Sequence, residues 1–125
     1  MKESITHLHI LCEDWKRELN FFADEIPMLR KRLEEVVSKN TDKEILSQVE
    51  HFENKFKLMA SNTDELLHDV NLKNESLSAQ AVAKANYINV KMIESDQNLE
   101  DLMAITSQDF YLTKKLYYKF LSKVM

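Results

Sequence analysis

The sequence predicts an all-α fold: an elongated up-down-up antiparallel three-helix bundle of long helices with coiled-coil-like packing. Three observations carry this. The 125 residues contain no glycine and one proline, so little interrupts a helix. Apolar residues in the first third recur in alternating steps of three and four, the period of a helical seam. A stop-and-start signal near position 40 then divides the chain into helices of similar length.

The first helix is expected over about residues 4–39. Its seam is Ile5, Leu8, Cys12, Trp15, Leu19, Phe22, Ile26, Leu29, Leu33 and Val36, without a skip. Pro27 deletes the amide that would bond the carbonyl of Ala23. Ile26 is a poor cap for a new helix, and the seam keeps its register across the proline, so one continuous, kinked helix is expected. Lys39-Asn40-Thr41 ends it, with Asn40 suited to turn the chain. Thr41 and Glu44 have the spacing of a capping box, in which the hydroxyl accepts from the Glu44 amide. So short a connection makes the neighbours antiparallel.

The second helix is expected over about 42–80, with a seam of Ile45, Val49, Phe52, Phe56, Met59, Thr63, Leu66 and Val70. Lys73 interrupts the stripe before Leu77. The reversal is expected near Ala83 to Tyr87, with Asn74, Asn86 and Asn89 as the available turn formers. The third helix is expected over about 88–123. Its apolar set is Met92, Leu99, Leu102, Met103, Phe110, Leu116, Tyr117, Phe120 and Val124, and Ile105, Leu112 and Leu121 are expected to widen the buried face. Acids gather in its first half and lysines in its second, in line with the helix dipole.

Composition narrows the function classes. Without glycine there is no phosphate-binding loop, dinucleotide fingerprint or EF-hand loop. One cysteine makes no disulfide framework and suits a reducing compartment. No apolar run approaches a transmembrane segment, and Met1-Lys2-Glu3-Ser4 lacks the apolar core of a secretory signal, so a cytoplasmic protein is expected. A net charge of −4 argues against a dedicated nucleic-acid binder.

Few residues carry a chemical signal. Glu65 and His68 match the glutamate-x-x-histidine spacing of di-iron bundles, but the pattern occurs once where such sites use it twice. With Leu66 and Val70 in the core, both point largely to solvent, as do His7, His9 and His51. Cys12 lies on the seam, where burial suppresses a thiolate, and no nucleophile-base pattern is present, so no catalysis and no cofactor are expected. Phe110 to Met125 carries Lys114, Lys115, Lys119 and Lys123 among tyrosines, a pattern that suits a helix C-terminus better than an anionic-partner site. Phe21 and Met28 lie off the first seam, where large apolar groups mark a partner surface. The three-helix layout resembles many unrelated bundles, spectrin-type repeats among them, a likeness of architecture that implies no function. The expectation is a small interaction or scaffold module, binding a protein partner or another copy of itself through Phe21 and Met28. The alternative is a ferritin- or hemerythrin-like metal-binding bundle assembled on dimerisation, with Glu65 and His68 as its ligands.

Overall fold

The computed structural model describes the backbone of residues 5–82 and 90–125 and the side chains of residues 5–79 and 97–125. Three helices account for it: α1 (Ile5–Lys39), α2 (Lys43–Val82) and α3 (Val90–Val124). The expected reversal at Ala83 to Tyr87, with Asn86, Asn89 and the side chain of Met92, lies outside the described residues. At about 1.5 Å per residue each helix is some 50–60 Å long.

Side-chain pairs fix the helix directions. Arg30, late in α1, meets Glu53, early in α2, through Nε at 2.9 Å. His9, early in α1, meets Asn74, late in α2, at 2.6 Å. These two helices are antiparallel and make the closest pair. Between α1 and α3 the offset is constant. Glu18 with Ser107 and Glu25 with Lys114 are both 89 residues apart, and Leu29 with Tyr117 is 88 apart. A constant offset means α3 runs parallel to α1. In the last pairing, Lys55 meets Asp109 and Phe52 meets Phe120, so α3 is antiparallel to α2. The topology is up-down-up.

The α1 seam is the axis of the core. All its members are buried except Trp15, which packs against the core from a half-buried position. The helix passes through Pro27 without interruption. From α2 the core takes Val49, Phe56, Met59, Thr63, Leu66, Val70 and Leu77. Where Lys73 breaks that stripe, a polar clasp takes over. The Asn74 amide nitrogen donates to Glu13 at 2.8 Å, and its oxygen accepts from His9 Nδ1 at 2.6 Å. Asn74 is therefore a bridge between α1 and α2, not a turn former.

Rings attach α3. Phe22 of α1 stacks on Phe110 of α3 with centroids 4.2 Å apart. Tyr117 meets Phe56 of α2 edge-on at 5.2 Å, and Phe120 lies 5.3 Å from Phe52. Such pairs add about 0.5–1.5 kcal/mol each beyond the area they bury. Tyr117 is fully buried, and its hydroxyl donates to the carbonyl of Leu29 at 2.6 Å.

Two local expectations change. The N-terminal cap of α2 is Asp42, not Thr41. Its Oδ1 accepts from the amides of Glu44 at 2.8 Å and Ile45 at 3.4 Å, and its own carbonyl accepts from Leu46 at 3.0 Å. A carboxylate at the positive end of a helix gains from the dipole as well as from the hydrogen bonds. At the end of α1, the Asn40 amide donates to the carbonyl of Val36 at 2.8 Å, satisfying one of the last free acceptors.

The larger correction concerns α3. Leu121 is buried as expected, but Leu102, Ile105, Leu112 and Leu116 are exposed. The groove between α1 and α2 takes a single stripe, Leu99, Met103, Phe110, Thr113, Tyr117 and Phe120, with Leu121 at its edge. Among the described residues, the aliphatic side chains beyond that stripe stay largely open to solvent.

Two measurements check this description. Asp42→Ala should cost about 1 kcal/mol in urea unfolding, while Thr41→Ala changes little. Burial raises the Tyr117 phenol to about 12, with Tyr118 and Glu35 adding to the rise and Arg32 opposing it. In the unfolded chain a tyrosine ionises near pH 10, so its contribution is complete below that pH and is lost as pH rises towards 12, about 2–3 kcal/mol in all. The melting temperature should therefore fall steeply above pH 10, and Tyr117→Phe should flatten that fall.

Candidate functional site

The sequence points first to Glu65 and His68. Both are exposed on the outer side of α2, between the buried Thr63, Leu66 and Val70. Among the described residues no three histidine, cysteine or carboxylate side chains converge as metal ligands would. Cys12 is buried in the α1 seam. No helix among the described residues is long and apolar enough to cross a membrane.

Phe21 and Met28 are exposed by 45% and 57%, two turns apart on α1. They belong to a larger face. On the α3 side of α1, Phe21 meets Phe110 edge-on at 6.1 Å. Tyr111 and Tyr118 of α3 continue the surface and are themselves exposed. Tyr111 packs edge-on to Phe22 at 5.8 Å, and Tyr118 tilts against Tyr117 at 5.6 Å. Each ring has one side braced by the core and the other open to solvent. Phe21 is thus half-engaged with α3 rather than wholly outward.

An ion pair forms the floor of this face. Lys114 Nζ donates to Glu25 Oε1 at 2.6 Å, with both side chains mostly covered. The same ammonium lies 5.8 Å from the ring centroids of Phe21, Phe110 and Tyr118. At that distance it interacts with all three π faces. The hydrogen bond to Glu25 raises the Lys114 pKa; burial opposes the rise, and the Glu25 charge adds to it. Lys114 is therefore a structural cation and not a member of a free basic patch. Lys115, Lys119 and Lys123 remain exposed. Removing one partner of so covered a pair leaves the other without compensation. A double-mutant cycle of Glu25→Gln with Lys114→Met should return a coupling of about 1–2 kcal/mol, between surface and buried pairs. The exposed pair of Asp14 and Arg17 should return a coupling near zero.

The four exposed aliphatic residues of α3 form a second face. Leu102, Ile105, Leu112 and Leu116 lie on the side of α3 away from Tyr111 and Tyr118, since 3.6 residues per turn puts the two sets roughly opposite. Asp109 lies within this stripe and pairs with Lys55 of α2 at 2.9 Å. Beside it a cleft of about 180 Å³ opens between the helices, lined by Met59, Asn62, Thr63, Ile105, Thr106, Asp109 and Phe110. A further hollow of about 320 Å³ opens among Ile5, Thr6, His9, Leu77 and Ser78 at the far end of the α1–α2 pair.

Sequence reasoning located Phe21 and Met28 but missed Tyr111, Tyr118 and the Glu25–Lys114 pair. The constant offset of 89 between α1 and α3 joins them, and that offset depends on tertiary packing. No family model, curated protein or solved structure matches this chain.

Proposed function

We propose that this chain is a non-catalytic interaction module that binds a protein partner through the face made by Phe21, Met28, Tyr111 and Tyr118. The observation that carries the reading is the half-open state of Phe21, Tyr111 and Tyr118, braced from below by the core and the Lys114 ammonium, with the exposed Met28 beside them. Aromatic residues and methionine are the types that concentrate at protein interfaces, where rigid rings supply contact area at low entropic cost. Preorganisation reduces the ordering cost of binding further. The reading includes a cytoplasmic location, supported by a composition with one cysteine, itself buried. It takes the partner to be a protein and not a nucleic acid, in keeping with the net charge of −4.

The test is affinity capture from the native host with the wild-type chain and with Met28→Lys/Tyr118→Lys as bait. Both positions are exposed, so circular dichroism of the variant should match the wild type. At least one protein should be retained by the wild type and reduced about tenfold or more with the variant, the loss expected of interface anchors. Identical capture by both baits would sink the reading.

A further inference from the structure

The opposite side of α3 carries a separate pattern. Leu102, Ile105, Asp109, Leu112 and Leu116 are spaced by three, four, three and four. This is the rule the α1 seam obeys. On α1 the rule is explained by two partner helices; on this side of α3 nothing among the described residues covers it. Ile105 and Leu112 are exposed by 62% and 57%, and Leu102 and Leu116 by about half. Four such residues in line make a patch of a few hundred Å², the size at which exposed apolar surface marks an interaction site. The 3.5-residue period matches another helix better than a flat surface.

Charge selects which helix. Along the stripe, Asp101 stands at the N-terminal end, and Lys115, Lys119 and Lys123 towards the C-terminal end. A second α3 laid antiparallel brings the acidic end of each copy against the basic end of the other. A parallel copy would set lysine against lysine. The surface is therefore self-complementary about a twofold axis, as an isologous interface requires. Asp109, near the middle, already has Lys55 of its own chain at 2.9 Å, so the seam closes over a compensated carboxylate and not a bare one.

We propose that this stripe of α3 is a homodimer interface in which two copies of the chain pack antiparallel through Leu102, Ile105, Leu112 and Leu116. Because Tyr111 and Tyr118 lie on the other side of α3, the dimer leaves both aromatic faces open and displays two of them. The inference does not depend on what those faces bind. Four aliphatic residues per copy bury less than the roughly 800 Å² per partner of a standard interface, so the association is weak and calls for high concentration.

Sedimentation equilibrium of the full chain from about 10 µM to 1 mM tests it. The average mass should rise towards twice the 14.8 kDa of the monomer. Ile105→Lys/Leu112→Lys should hold it at the monomer value with an unchanged circular dichroism spectrum. Orientation is read in a Cys12→Ala background with a short bismaleimide. Gln108→Cys, near the twofold axis, should cross-link to itself. Asp101→Cys and Lys115→Cys should cross-link poorly alone and well when mixed. A mass that stays monomeric throughout, or one that rises equally in the lysine variant, overturns the proposal. Efficient self-cross-linking at all three positions overturns the antiparallel arrangement. A foreign protein held by the monomeric wild type and lost in Ile105→Lys/Leu112→Lys would assign the stripe to another partner, and the aromatic-face reading would stand apart from that result.

Discussion

The unbroken apolar seam of α1 is the constraint on which the rest of this bundle depends. With no skip from Ile5 to Val36, it offers one unbroken line of contacts along the helix, and α2 and α3 both align to it. The aliphatic residues of α2 pack on it closely. The large rings of α3 pack on it and on α2 together, with Phe22 against Phe110 and Phe56 against Tyr117. A skip in the seam would rotate everything after it out of the core. This is why Pro27 is accommodated inside the helix: its lost hydrogen bond and ring clash together cost about 3 kcal/mol, while losing the register would uncover Leu29, Leu33 and Val36, each worth about 1.5–3 kcal/mol when buried.

The same constraint explains the surface of α3. A helix lying on a two-helix groove buries one stripe, and α3 carries more apolar residues than one stripe holds. The surplus falls on both flanks. Towards α1 it is aromatic and is braced by Glu25 and Lys114. On the other flank it is aliphatic, spaced like a second seam, and interrupted by Asp109, which pairs with Lys55. The two flanks differ in chemistry because they differ in neighbours, and each suits a different kind of contact: rings for a partner anchored in pockets, a heptad line for a helix like itself.

Much of this was legible in the sequence because helix periodicity is a local property. The seam of α1, its continuity through Pro27 and the antiparallel turn after Lys39 all follow from spacing. The N-cap was off by one residue because Thr41 and Asp42 are adjacent and both suit the role; the aspartate's charge decides between them, and periodicity says nothing about that. Hydrophobicity alone places Leu102, Ile105, Leu112 and Leu116 in the core, because it identifies apolar side chains without saying how many the groove can cover. Their steps of three, seven and four, with Asp109 filling the gap, are the available signal that they form a separate line. Phe21 and Met28 could be found from α1 alone. Tyr111, Tyr118 and Lys114 could not be joined to them without the alignment of α3 on α1.

That alignment is the central claim, and an electron spin-echo distance measurement tests it directly. In a Cys12→Ala background, with labelled chains diluted in unlabelled ones, spin labels go on three exposed positions, Met28, Tyr118 and Leu102. With α3 parallel to α1 at an offset of 89, Tyr118 lies level with Met28. Leu102 lies sixteen residues back along the helix, displaced by about 24 Å. The account predicts a short distance for Met28–Tyr118 and a clearly longer one for Met28–Leu102. Equal distances, or the reverse order, would contradict it.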